Sequence, residues 1–162
     1  MLRHLTVRPG RFSDGDFVKT QIIKLSLLAE GFKTMPKIRG IDETWKKIIN
    51  DPKSPVFIAE ENGKPVCACT TSLNYQLHRG GEVLYIQELS VDESARKSGA
   101  GKAILEALEK YCKEKGIVAI DLTQPPPKSG YDEIRNKFYQ KNGYELTGMG
   151  RTKEFQHNFV FE

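Results

Sequence analysis

The sequence RKSGAGK, residues Arg96–Lys102, is a glycine-rich, basic turn that contains no acidic side chain. The sequence predicts a strand over 83–91 before this turn and, after it, a helix whose apolar residues Ile104, Leu108 and Tyr111 recur at helical spacing. A strand that leads through such a turn into a helix leaves backbone N–H groups unpaired at the helix start, where the helix dipole adds partial positive charge. Glycine also lacks the Cβ that would keep an anion away from those groups. The turn is therefore predicted to bind a phosphate or diphosphate.

Two common phosphate-binding patterns do not fit this turn. A Walker loop requires Gly-x-x-x-x-Gly-Lys-Ser/Thr, but Arg96 stands in place of its first glycine and Ala103 in place of the hydroxyl residue that would hold magnesium. A dinucleotide-binding fingerprint requires a third small residue where this chain has Ile104. Both patterns are excluded.

The pattern Arg-x-x-Gly-x-Gly, which here follows Leu89-x-Val91, resembles the coenzyme A loop of the GCN5-related N-acetyltransferase (GNAT) family. The later segment FYQKNGY, residues 138–144, is similar to the helix on which that family carries a Tyr followed by a Gly–aromatic pair. The close resemblance covers residues 83–146, and the N-terminal third agrees only in layout.

The resemblance implies an α/β fold with a mixed, mostly antiparallel twisted sheet of six or seven strands, flanked by about four helices. We expect residues 1–162 to form a single N-acetyltransferase domain. Two central parallel strands, near 83–91 and 117–122, would splay apart into a cleft. Coenzyme A would enter this cleft from one face of the sheet, and the acceptor amine from the other.

Local signals predict the remaining elements. Asn62-Gly63 predicts a two-residue hairpin between strands over 56–60 and 66–73. Helices are expected over 13–30, 42–51 and 131–141, and a final pair of strands over 144–146 and 151–161.

The resemblance also implies where acetyl-coenzyme A, the expected co-substrate, would bind. The loop would hold its diphosphate, and the preceding strand would offer backbone groups to the pantetheine arm and to the thioester carbonyl. The expected binding residues are Leu89, Ser90, Val91, Arg96, Lys97, Ser98, Gly99, Ala100, Gly101 and Lys102.

The sequence does not identify the catalytic base directly, because the family positions that often carry Glu or His are Gln87 and Tyr85 here. Gln cannot accept a proton at neutral pH, and Tyr is a poor base unless its pKa is strongly lowered. Glu88 is the nearest carboxylate, but in a regular strand it would point to the opposite face, so it needs a β-bulge to reach the cleft. Glu88 as base and a water relay held by Gln87 and Tyr85 both stay open.

Tyr139 is the candidate acid for the departing thiolate, at the position where the resembling family keeps this residue. If Ile134 and Phe138 form the inner face of the last helix, Tyr139 is rotated by about 100° and free to point at a neighbouring cleft.

Composition limits the partners and the setting. Net charge is +4 with both signs interspersed, which favours an anionic ligand but does not indicate nucleic acid. No apolar stretch reaches membrane-spanning length and the N-terminus does not resemble a signal peptide, so we expect a cytoplasmic protein without a membrane partner. Cys67, Cys69 and Cys112 are predicted to be small core residues, and no metal is expected.

These patterns together predict an acetyl-coenzyme A-dependent N-acetyltransferase that acts on a primary amine of a small molecule, peptide or protein, by direct attack in a ternary complex. A non-catalytic coenzyme A-binding sensor or interaction module is the alternative, and assembly as a homodimer stays open. The loops over 33–40 and 76–81 are expected to set the acceptor.

Overall fold

The computed structural model describes residues 4–125, 131–148 and 153–162. Four α-helices lie in this part of the chain: α1 (Gly15–Glu30), α2 (Ile41–Ile49), α3 (Ala100–Lys115) and α4 (Asp132–Lys141). The strands are β1 (Leu5–Pro9), β2 (Lys37–Ile38), β3 (Val56–Glu61), β4 (Lys64–Gln76), β5 (Gly81–Val91), β6 (Ala119–Leu122) and β7 (Phe159–Val160). None of the described helices is both long enough and apolar enough to cross a membrane.

Five strands form the main sheet in the order β1-β3-β4-β5-β6. All neighbours are antiparallel except β5 and β6, which are joined through α3 and run parallel. The prediction of a mixed, mostly antiparallel sheet flanked by about four helices is therefore confirmed, although the seven described strands divide into a sheet of five and a separate pair and do not form one sheet of six or seven. The splayed pair lies at one side of the sheet in the described residues, because β6 is its edge strand and not a central one.

The prediction of a final strand pair was wrong. Residues 144–148 form no strand, residues 151–152 lie outside the described part, and β7 pairs with β2 in a separate two-stranded sheet. Phe32 contacts both Phe159 and Phe161 edge to face, at 5.1 Å between ring centroids in each case. These aromatic contacts hold the end of the chain against the segment between α1 and α2, which local sequence patterns cannot reveal.

The Asn62-Gly63 hairpin is confirmed, with φ values of 53° and 79° at the two residues. Positive φ at both positions makes a type I′ turn, whose twist matches that of the strands β3 and β4. This turn pairs Glu61 with Lys64 at the start of the hairpin, and the register shifts once more between Ala59 and Glu60.

Each face of the main sheet carries its own core. On one face, α3 packs its buried Ile104, Leu105 and Leu108 against the sheet together with Cys67 and Cys69. The other face is covered by α1 and α2, and its core consists of Val18, Trp45, Val56, Ile58 and Ala68. We call these the α3 face and the α1/α2 face. The three cysteines are buried free thiols, as predicted.

Candidate active site

The turn between β5 and α3 has the backbone conformation of an anion-binding loop. Lys97 and Gly99 have left-handed φ values of 62° and 91°, while the helix begins at Ala100 without a side-chain cap. Alternation of left- and right-handed residues turns successive N–H groups toward one concavity. The loop predicted from sequence is therefore formed.

Several N–H groups of this loop have no hydrogen-bond partner within the described ranges, namely those of Lys97, Gly99, Gly101 and Lys102. The Ala100 N–H donates only a long bond of 3.3 Å, to Ser98 Oγ. Arg96 is exposed, with its guanidinium carbon 5.4 Å from the centroid of the Tyr131 ring. Unpaired donors and cationic side chains at a helix start fit the diphosphate of coenzyme A.

Gly101 brings α4 close to this loop. A Cβ at Gly101 would lie 3.1 Å from Cζ of Phe138, closer than most side-chain contacts. The absence of that Cβ lets the Phe138 ring rest on the first turn of α3, and Tyr139 is the next residue of α4. The loop and Tyr139 therefore lie on the same face of the sheet.

A β-bulge in β5 decides which way Glu88 points. Thr70 pairs with Glu88 and Thr71 with Ile86, so Gln87 is an extra residue without a partner on β4. In a regular strand Ile86 and Glu88 would share a face. Here Ile86 and then Leu89 pack on the α3 face, whereas Glu88 lines cavities on the α1/α2 face. The β-bulge that Glu88 needs in order to face a cavity is therefore present.

Two cavities meet at Glu88. The first, about 250 Å³, is walled by α1, α2, β2 and the sheet, and we call it the acceptor cavity because residues of the 33–40 segment line it. A second cavity of about 260 Å³ lies along β4 and contains Gln87. The residues that line both cavities are Thr44, Ile48, Thr70 and Glu88.

Glu88 has the surroundings of a general base. Its carboxylate accepts a hydrogen bond from Thr70 Oγ1. Burial raises the pKa of Glu88 above its ordinary value, and the Thr70 hydrogen bond opposes this shift because it stabilises the charged form. A carboxylate with a raised pKa holds a proton more readily at neutral pH, as proton transfer from an amine requires.

The other two candidates for proton movement lie apart from each other. Gln87 donates through Nε2 to Ser72 Oγ at 2.9 Å and lines the second cavity beside Glu88. Tyr85 donates to Thr123 Oγ1 at 2.6 Å, near the end of β6, and lines neither cavity. The structure thus brings Gln87 and Glu88 together, but not Tyr85.

Tyr139 is buried, 9% exposed, and joins the core of the α3 face. The prediction that Ile134 lies on the inner face of α4 was wrong, because this residue is 61% exposed. The inward stripe instead runs through Arg135, Phe138 and Tyr139, one residue further along the helix. The Tyr139 hydroxyl makes no hydrogen bond to the described part of the chain, and burial raises its pKa, so it stays protonated.

In the described residues, the last part of β5 has one unpaired edge. Pairing with β6 covers 83–86 and stops before the bulge. Beyond it, Leu89 and Val91 pack on the α3 face, and Ser90 Oγ donates to Gln21 of α1. The side chains are thus used for packing, which leaves the backbone of this edge for a ligand, as the resemblance implies.

Sequence reasoning missed two side chains. Thr70 stands next to Glu88 only through the register of β4 against β5. Arg39 lines the acceptor cavity because the β2–β7 pairing folds its segment over α1, although the loop over 33–40 was expected to border the acceptor. The 76–81 loop lines neither cavity, and its Arg79 pairs with Asp121 at 3.1 Å. The described residues include no group of three His, Cys, Asp or Glu side chains suited to a metal.

Comparison with protein families gives one match of broad extent. The sequence model of the acetyltransferase (GNAT) family matches residues 24–144. The chain is also 30% identical over 105 residues to an uncharacterized N-acetyltransferase of Methanocaldococcus jannaschii. That alignment covers 62% of this chain and 43% of the relative, so the chain spans less than half of that protein.

Solved structures of the same fold cover nearly the whole chain. A transcriptional regulator from Bacillus halodurans superposes with a TM-score of 0.78 at 19% identity, covering 94% of this chain and 100% of that one. An aminoglycoside N-acetyltransferase in complex with coenzyme A superposes with a TM-score of 0.70 at 17% identity, covering 97% and 98%. At these identities the likeness establishes the fold.

Proposed function

The chain belongs to the acetyltransferase (GNAT) family, and from its site we propose that it is an acetyl-coenzyme A-dependent N-acetyltransferase acting on a primary amine. One observation carries the proposal. The unpaired N–H groups at the start of α3 lie on one face of the sheet, and the cavity above Glu88 lies on the other. The unpaired edge of β5 runs between them. Two substrates could therefore meet at this edge.

Each group at the site has a separate role in the proposed transfer. Acetyl-coenzyme A supplies the thioester carbonyl that the amine attacks directly, in a ternary complex. Glu88 takes the proton of the amine, and a backbone N–H of the β5 edge donates to the carbonyl oxygen. Tyr139 donates its proton, or a hydrogen bond, to the sulfur that leaves. Holding both reactants in line could supply about 7–11 kcal/mol of the barrier reduction.

The cofactor and setting belong to the same proposal. The loop residues Arg96–Lys102 and the backbone of Leu89–Val91 hold acetyl-coenzyme A, and no step requires a metal. Buried free thiols at Cys67, Cys69 and Cys112 are typical of a reducing compartment, which supports a cytoplasmic setting.

Turnover tests the proposal. Purified protein should release free thiol from acetyl-coenzyme A when an accepted amine from a panel of amino acids, polyamines, aminoglycosides and peptides is added. The release should depend on the amine and yield the acetylated amine by mass spectrometry. Coenzyme A binding without thiol release for any amine would contradict the proposed transfer and favour the non-catalytic coenzyme A-binding module.

The loop assignment has its own test. Gly99→Val should remove most of the rise in melting temperature that coenzyme A gives by binding the folded state. The reason is that Val cannot adopt the φ of 91° at Gly99, so the N–H groups of the loop would turn away from the ligand. Differential scanning fluorimetry with and without coenzyme A measures the effect.

Gly116→Val is the matched control, because Gly116 ends the same helix with a φ of 70° and no neighbour within 4 Å of its added Cβ. Both variants should lose about 1–2 kcal/mol of stability through the left-handed backbone strain. Only Gly99→Val should lose the response to coenzyme A. Equal responses in the two variants would refute the loop assignment.

A further inference from the structure

The acceptor cavity has an apolar wall and charges at its ends. Its apolar residues are Val18, Ile22, Ile38, Ile41, Trp45 and Ile48. The charged residues in its lining are Lys19, Arg39 and Glu88. An acceptor for this cavity therefore needs an apolar body and must match these charges.

The three charges are compensated to different degrees. Lys19 Nζ lies 2.7 Å from the carboxylate of Asp42, so its charge is locally balanced. Glu88 is the proposed base and would face the amine. Arg39 has an exposed side chain, and no acidic group in the described ranges lies within ion-pair distance of its guanidinium. Among the described residues, Arg39 is thus the one cation of the cavity lining that lacks a counter-ion.

We propose that the acceptor is a small amine that also carries an anionic group, of the class of apolar amino acids. The amine points to Glu88, the apolar body packs on α1 and α2, and the carboxylate pairs with Arg39. The inference rests on the proposed function, and it narrows the acceptor. Guanidinium–carboxylate pairs are charge-assisted and bidentate, which makes Arg39 the specificity-determining residue.

The same charges argue against a polycationic acceptor. An aminoglycoside would bring several ammonium groups to a cavity whose lining holds Lys19 and Arg39 and one carboxylate among the described residues. Like charges in a confined site disfavour binding. Sharing a fold with an aminoglycoside N-acetyltransferase therefore does not extend to its substrate.

Binding of products tests the anion subsite without requiring turnover. The probes are the N-acetyl derivatives of valine, leucine, methionine and phenylalanine, each compared with its C-terminal amide by calorimetry on coenzyme A-saturated protein. Neither form has a free amine, so the two differ only at the C-terminal group, which is an anionic carboxylate in the acid and a neutral carboxamide in the amide. At least one acid should bind about 10-fold or more tightly than its amide, as expected for a charge-assisted pair. Because Arg39 is exposed, the preference should weaken as salt rises.

Variants identify the residue responsible. Arg39→Gln should abolish the preference for the acid, whereas Lys33→Gln should retain it. Lys33 is the matched control because it is an exposed cation of the same connection that lies outside the cavity. A lack of preference in every pair, or a preference that survives Arg39→Gln, would overturn the inference.

Turnover separates this inference from the proposed function. If the free amino acids are acetylated and their amides are not, the proposed transfer and the proposed acceptor class both stand. If amides or polyamines are acetylated as well as the acids, the acceptor class is wrong and the transfer stands. If the acid preference depends on Arg39 but no amine is acetylated, the transfer is wrong and the anion subsite stands.

Discussion

Glu88→Gln should lower kcat at pH 7 by about 100-fold or more, because the variant lacks the group that takes the proton of the amine. Gln keeps the size of the side chain and an oxygen that can accept from Thr70 Oγ1, so packing at the bulge should be retained. KM for acetyl-coenzyme A should change little, since the loop lies on the other face of the sheet. Initial rates with a saturating amine measure the effect.

The pH dependence should change in a defined direction. In the wild type, activity should rise as Glu88 loses its proton, and this limb should lie above the ordinary glutamate pKa of about 4.5 because burial raises the pKa of Glu88. The limb should be absent from the residual activity of Glu88→Gln. In Thr70→Val the limb should move to higher pH, since the hydrogen bond that lowers the pKa is lost.

Stability should respond in the opposite sense to activity. The folded protein binds the Glu88 proton more tightly than the unfolded chain does, so the contribution of Glu88 to the free energy of unfolding falls as pH rises from about 4.5 through its raised pKa. Glu88→Gln should therefore be at least as stable as the wild type at pH 7. Full activity in Glu88→Gln, with large losses in Gln87→Ala or Tyr85→Phe, would contradict the assignment and favour the water relay.

Tyr139→Phe should lower kcat by about 10- to 1000-fold while leaving the fold and coenzyme A binding almost unchanged. The substitution keeps the ring, whose centroid lies 5.1 Å from that of Phe138, and deletes only the hydroxyl. A phenol can donate a hydrogen bond to the departing thiolate, because its pKa lies above neutral and burial raises that pKa further, so the hydroxyl stays protonated. Single-turnover acetyl transfer and the melting temperature are the two measurements.

Tyr144→Phe is the matched control. The Tyr144 ring lies 5.8 Å from the ring of Tyr139, and its buried hydroxyl has no partner in the described structure. Its removal should leave kcat near that of the wild type. If Tyr139→Phe keeps the wild-type kcat, Tyr139 serves the α3-face core and another group must assist the thiolate.

Elements with a local physical cause could be predicted from the sequence. The Asn62-Gly63 hairpin follows from a backbone conformation that few residues adopt, and the phosphate-binding turn before α3 follows from glycines whose missing Cβ leaves backbone N–H groups accessible. The parallel pairing of β5 and β6 follows from the helix between them.

Features set by distant contacts could not be predicted. The two residues of β7 pair with β2, which lies more than a hundred positions earlier in the chain. The apolar Ile134 predicted the wrong side of α4, because the packing of Phe138 on Gly101 fixes the rotation of that helix. From its sequence alone β5 could be either a regular strand or a strand with a bulge at Gln87. The register against β4 shows that the bulge is present.

The extra residue at Gln87 shifts the alternation of side chains between the two faces of β5 by one position. Before it, the even positions Leu84 and Ile86 face α3; after it, the odd positions Leu89 and Val91 do. Loss or gain of a single residue here would exchange core and cavity side chains along half of the strand. Over evolution this segment can therefore change by substitution far more freely than by insertion or deletion, and its length should be a better marker of shared chemistry than its composition.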